Sequence, residues 1–146
     1  MASRTRPLRP LCSRVPETPP PFGDPTTTQF WEAAQRRQLV VQRCRACGEH
    51  QFYPRPFCLA CDATTLEFVS ASGQATVYAM TTVHLKVHSD LDPPYVVAVV
   101  ELAEGPRLVT RIVGDAVAIG DAVRVAWMER TNAPPLPVFE REETSI

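Results

Sequence analysis

The sequence predicts a mainly β chain: one short helix, a small cysteine-rich module, then a five-stranded barrel. Three observations carry this. Two CxxC pairs, Cys44–Cys47 and Cys58–Cys61, are separated by ten residues. Runs rich in Val, Thr, Tyr and Ile follow, bounded by Gly, Pro and Asp as strands are. The prolines, 15 in 146 residues, gather between Pro7 and Pro25 and between Pro134 and Pro137, which leaves the middle free for regular structure.

Residues 1–25 read as a proline-rich irregular arm, because proline lacks a backbone N–H and fixes φ. The arm carries Arg4, Arg6, Arg9 and Arg14 before any acid. Its prolines prevent the amphipathic helix of a transit peptide, and no apolar secretory core follows. A short helix is expected over 26–38. Thr26 and Gln29 have capping-box spacing, and Phe30, Trp31 and Ala34 repeat at helical intervals. Three turns are marginal alone, so Phe30 and Trp31 must bury against the rest of the chain or against a partner.

The segment 39–69 reads as a zinc ribbon. Two thiolates three positions apart sit on one tight turn and take adjacent corners of a tetrahedron. Two such turns close a four-sulfur cage around one Zn²⁺, with Cys44, Cys47, Cys58 and Cys61 as ligands. Gly48 tolerates the positive φ such a turn needs, and Asp62 tolerates it less well. Tyr53-Pro54-Arg55-Pro56 supplies a stiff crossing between the turns. Two disulfides would need an oxidising compartment, and a redox CxxC would be single and set in a βαβ context. Iron fits the same cage chemically, but nothing else supports electron transfer. The expectation is one structural zinc in a reducing cytoplasm, with Cys12 an incidental thiol in the arm.

Strands are expected at Gln74–Val83, Tyr95–Leu102, Arg107–Val113 and Ala122–Met128, with Glu104-Gly105-Pro106 turning one hairpin. Turns at short intervals over 70–130 fit a five-stranded OB-fold barrel better than a larger sandwich. Residues 131–146, with Pro134, Pro135 and Pro137, read as a C-terminal tail.

Composition excludes several functions. A formal net charge of -1 with 21% charged residues fits neither a basic nucleic-acid tail nor an acidic disordered chain. No apolar run approaches the roughly 18 residues of a membrane helix. Zinc in its thiolate cage lowers the formal balance to about -3. Arg36, Arg37, Arg43, Arg45 and Arg55 offset that charge or meet anionic groups of a ligand. His84 and His88, close to Pro93-Pro94, read as loop residues rather than a metal pair. Glu142 and Glu143 read as solvated. With six glycines and no nucleophile elbow, phosphate loop or dinucleotide fingerprint, no catalytic residue is assigned.

One resemblance is specific. Phe30-Trp31-Glu32-Ala33, Leu39, Gln42-Arg43-Cys44, Cys47-Gly48, Pro54-Arg55-Pro56-Phe57-Cys58, Cys61 and Leu66-Glu67-Phe68 resemble the acyl-CoA-associated family in which a rubredoxin-like zinc ribbon precedes an OB-fold. Gly73, Val77-Tyr78, Pro94-Tyr95-Val96-Val97-Ala98, Glu104-Gly105-Pro106-Arg107-Leu108 and Ile119-Gly120-Asp121-Ala122-Val123 extend the match over residues 26–130. Gln38 and Asp62 depart from it, each standing where a glycine is common, and neither is a metal ligand.

The resemblance implies a non-catalytic accessory subunit of a thiolase-superfamily enzyme: a thiolase, an acyltransferase, a condensing enzyme or an aldolase of acyl-CoA thioesters. It extends to partners of hot-dog-fold enoyl-CoA hydratases. The partner supplies the nucleophile, and the subunit assembles it or holds the CoA arm. On that implication Arg107, Arg111 and Arg55 are candidates for the CoA phosphates, since a guanidinium fork suits them. Phe30 and Trp31 are candidates for docking the partner. The competing reading is a nucleic-acid module, with Tyr78, Tyr95 and Trp127 stacking bases. One lysine, Lys86, and a negative balance weaken the phosphate attraction that reading needs.

Overall fold

The computed structural model describes residues 24–143. The expectations for the arm up to residue 23 and for Cys12 lie outside them. The helix is α1 (Thr28–Gln35), with Thr27 at its N-cap. The expected Thr26–Gln29 capping box does not form. Asp24 organises the start instead: its carbonyl accepts from the Thr27 and Thr28 N–H groups at 3.1 Å each, and its carboxylate accepts from the Thr26 N–H. The helix ends in a Schellman motif, with the Gln38 N–H on the Ala33 carbonyl and the Arg37 N–H on that of Ala34. Arg37, at φ 54°, takes the left-handed position, so Gln38 needs no glycine-like freedom.

Phe30 and Trp31 are 2% and 9% exposed, and Phe30 meets Phe52 and Tyr53 edge-on at 5.5 and 5.9 Å. This corrects their assignment as docking residues. An eight-residue helix gains too little from its own hydrogen bonds, so its apolar face is used to join ribbon and barrel within the chain.

The ribbon is a three-stranded antiparallel sheet of β1 (Val40–Cys44), β2 (His50–Gln51) and β3 (Leu66–Ser70), in the order β2-β1-β3. The barrel strands are β4 (Gln74–Val83), β5 (Tyr95–Leu102), β6 (Arg107–Val113), β7 (Ala122–Arg130) and β8 (Ala133–Arg141). They close in the order β4-β5-β6-β8-β7. All pairings are antiparallel except a short parallel seam between β6 and β8, at Ile112–Phe139 and Val113–Glu140. Alternate residues Ala98, Val100 and Leu102 of β5 and Leu108, Thr110 and Ile112 of β6 point inward. Val77, Val123 and Phe139 complete a core in which each is at most 1% exposed.

Strand β8 overturns the expected tail. Its three prolines lie before the parallel seam, where β8 is bonded along one side only, and Pro134 and Pro135 fall at a register irregularity against β7. A missing N–H is tolerated at such positions. The Thr110 hydroxyl donates to the Pro137 carbonyl at 3.1 Å, so that acceptor still finds a partner.

Ribbon and barrel meet across residues 71–73, and each is hydrogen-bonded. The Ala71 N–H donates to the Leu39 carbonyl, the Ser72 N–H to the Glu104 carboxylate at 2.7 Å, and the Gly73 carbonyl accepts from Val125 at 2.8 Å.

Candidate metal centre and ligand surface

Two knuckles of the same design hold the cysteines. In the first, the Gly48 N–H donates to the Cys44 carbonyl at 2.8 Å and the Cys44 N–H to that of Glu49 at 2.9 Å. In the second, the Asp62 N–H donates to the Cys58 carbonyl at 2.9 Å and the Cys58 N–H to that of Ala63 at 2.8 Å. Gly48 and Asp62 both turn left-handed, at φ 80° and 62°. Asp62 therefore fills the glycine role, as a short polar side chain can.

The four Sγ atoms lie within 4.8 Å of one another, with Cys44–Cys61 and Cys47–Cys58 at 3.6 Å. Zn–S bonds of about 2.3 Å at tetrahedral angles require S–S edges of about 3.8 Å. The donor set therefore fits one zinc ion. Backbone N–H groups already point at the sulfurs. That of Cys47 is the largest influence on Cys44, and with the Ala46 N–H and the neighbouring thiols it outweighs desolvation and holds Cys44 at about 6. The Ala63 N–H draws Cys61 down, but the Cys44 sulfur, burial and the other two sulfurs outweigh it and push Cys61 up to about 12. Four sulfurs this close cannot all ionise unaided, and a divalent cation removes the conflict.

Two buried glutamines fix the crossing between the knuckles. The Gln51 amide nitrogen donates to Gln42 Oε1 at 2.9 Å and to the Phe57 carbonyl at 3.1 Å, while its oxygen accepts from the Leu59 N–H at 2.9 Å. Gln42 accepts from the Arg55 N–H at 2.8 Å and donates to the Arg55 carbonyl at 2.9 Å. Cys58 is thus bracketed at both neighbouring residues by one side chain. Sequence reasoning missed this pair, because a glutamine on a short strand looks like a solvent-facing position. Outer hydrogen bonds of this kind tune metal affinity about 10–100-fold. Gln51→Leu is therefore expected to speed zinc release to a chelator at least tenfold, measured by stopped-flow transfer to a chromophoric chelator, while Gln51→Glu retains part of the bracket.

The structure does not bring the three candidate arginines together. Arg55 is exposed on the ribbon crossing. Arg107 donates to Glu101 at 2.7 Å and stacks 3.6 Å from the Tyr78 ring centroid. Arg111 lies four positions further along β6, roughly 13 Å at strand rise. Arg43 and Arg45 share Glu67, at 3.9 and 3.1 Å. His84 and His88 fall in the β4–β5 loop, and the four cysteines are the one metal-holding cluster among the described residues.

Residues 31–67 match the family model of the ChsH2 rubredoxin-like zinc ribbon domain, and residues 68–128 that of the ChsH2 C-terminal OB-fold domain. A DUF35 domain-containing scaffold protein of Methanothermobacter thermautotrophicus is 33% identical over 107 residues, covering 69% of this chain and 80% of that protein. The chain belongs to the ChsH2/DUF35 family. The structure named Ltp2-ChsH2(DUF35) aldolase is similar at 40% identity and a TM-score of 0.76, over 83% of this chain and 98% of that one. A probable enoyl-CoA hydratase alpha subunit of Thermomonospora curvata is 44% identical over 114 residues, 75% of this chain and 36% of that protein. The DUF35 chain thus spans about a third of the length of that relative.

On this DUF35 chain, apolar side chains remain outside the core. Val109 is 71% exposed and is paired across the strands with Val99, beside the Tyr78–Arg107 stack. Leu59 is 56% exposed and lines a cleft of about 230 Å³ between ribbon and barrel, with His50, Phe52, Pro106 and Arg107. Among the described residues no helix is long and apolar enough to cross a membrane.

Proposed function

We propose that the chain is a non-catalytic accessory subunit that docks on a thiolase-superfamily enzyme, of aldolase or thiolase type, and helps hold its CoA thioester. The observation that carries this reading is the apolar outer barrel face beside the ribbon cleft: Tyr78, Val109 and Leu59 are exposed, with Val99 half-buried next to Val109, on a chain whose described residues offer a structural metal cage. Exposed apolar side chains grouped this way suit a protein partner. The likeness to the Ltp2-ChsH2(DUF35) aldolase favours an aldolase partner. Arg107, at the cleft, is the guanidinium best placed for a CoA phosphate, with Arg55 as a second, exposed charge.

Co-expression with a thiolase-like or aldolase-like subunit from the same genome is expected to give one complex on gel filtration at micromolar concentration. Val109→Glu and Leu59→Glu, both at exposed positions, are each expected to weaken it tenfold or more. Separate elution of the two proteins sinks the proposal. CoA calorimetry on the complex should lose affinity with Arg107→Ala, and unchanged binding removes that part alone. A second reading, a hydratase partner, is favoured by the likeness to the enoyl-CoA hydratase alpha subunit. It predicts co-elution with a hot-dog-fold subunit instead.

A further inference from the structure

Two arginines of the barrel stand apart from the rest. Arg37, Arg43, Arg45, Arg107, Arg124 and Arg141 each meet a carboxylate. Among the described residues Arg36, Arg55, Arg111 and Arg130 meet none; Arg36 and Arg55 are exposed, whereas Arg111 and Arg130 are partly buried and each has a buried N–H donor without an acceptor, Arg111 Nε and Arg130 Nη2. Glu129, next to Arg130 in sequence, is taken by Arg37.

Both reach the C-terminal end of β7. Arg111 Nη1 lies 3.7 Å from Met128 Sδ, and Arg130 follows Met128 by two positions, across the register irregularity against β8. Aromatic rings flank both ends: Tyr95 has the Arg111 guanidinium 5.7 Å from its centroid, and Trp31 has that of Arg130 at 5.4 Å. Trp31 Nε1 is a third buried donor without an acceptor. Arg130 Nε is satisfied by the Pro134 carbonyl at 2.8 Å, which fixes its guanidinium in place.

We propose that Arg111 and Arg130, on either side of Met128, form a binding site for an oxyanion, a phosphate or carboxylate group of a small ligand. The physical reason is charge as well as hydrogen bonding. Water satisfies an orphan N–H but leaves two partly desolvated guanidinium groups uncompensated, and burying an unpaired charge is costly. An oxyanion supplies acceptors and negative charge at once, and guanidinium forks bind phosphate and carboxylate alike. Burial already draws the Arg130 pKa down, as expected of a cation whose counter-charge is missing. The inference does not rest on partner docking, and Arg107 takes no part in it.

The test is calorimetric titration of the full chain with pyrophosphate in one arm and succinate in the other, with Trp fluorescence recorded in parallel because Trp31 borders the site. One-site binding in at least one arm is expected, weakening as salt is raised. The arm that binds tells phosphate from carboxylate. Arg111→Gln and Arg130→Gln should each weaken it about tenfold or more, and Arg124→Gln, whose partner is Glu140, should not. If Arg130→Gln does not fold, Arg111→Gln reads the same site. No binding in either arm at millimolar concentration, or binding unchanged in Arg111→Gln, overturns the proposal.

Discussion

Cys47→Ser is expected to leave the chain without bound zinc and with residues 39–70 unfolded. The ribbon has only three short strands, one of two residues, and apart from Val40 and Val41 its interior is the cage together with the Gln42–Gln51 amides. Such a module lacks the apolar area to fold alone. Structural zinc contributes apparent binding free energies of about 10–16 kcal/mol at neutral pH, which is folding free energy for the module it closes. Losing one ligand of four forfeits much of that. Because α1 and residues 71–73 tie ribbon to barrel, the barrel should melt lower as well. Metal analysis should give one zinc per wild-type chain and none in the variant. Zinc uptake by the apo chain should release protons, so affinity falls as pH falls. A natively folded, metal-free Cys47→Ser chain contradicts this account of the ribbon.

Gly73→Ala carries the second large effect. Gly73 sits at φ 82°, and a Cβ there would lie 2.6 Å from Val125 Cγ1 and 3.5 Å from Val125 Cβ. Val125 cannot swing away, because its side chain is β-branched and its N–H is bonded to the Gly73 carbonyl at 2.8 Å. Backbone strain and overpacking together are expected to cost about 2–4 kcal/mol, seen as a lower urea midpoint with unchanged slope. Adding Val125→Ala should recover the steric part and leave the backbone part. A Gly73→Ala chain as stable as wild type would mean that the joint between ribbon and barrel is looser than these distances say.

The metal cage was legible because thiolate spacing is a local property: two residues between cysteines set a knuckle whatever surrounds it. Strands β4, β5 and β6 were legible for a similar reason, being β-branched runs between strong turn residues. What failed was decided at long range. Pro134, Pro135 and Pro137 hid β8, because proline's exclusion from strands applies where both sides are bonded, and β8 meets β6 only after them. Phe30 and Trp31 read equally well as core or as docking surface; the fold brings Phe52 and Tyr53 against Phe30 and Arg130 over the Trp31 ring. The capping-box spacing at Thr26 lost to Asp24, whose carboxylate takes the Thr26 N–H and whose carbonyl takes those of Thr27 and Thr28. Arg111 and Arg130, nineteen positions apart in sequence, both reach the end of β7 only because β8 inserts between β6 and β7 and closes the barrel.

The central claim, that this chain completes an enzyme rather than being one, is tested most directly by acyl-CoA thioester turnover with the chain alone, the aldolase-type or thiolase-type partner alone, and both together. The account predicts no turnover by the chain, little by the partner, and a rise of at least tenfold on mixing that Val109→Glu diminishes. Turnover by the chain alone, or a partner fully active without it, would contradict the account.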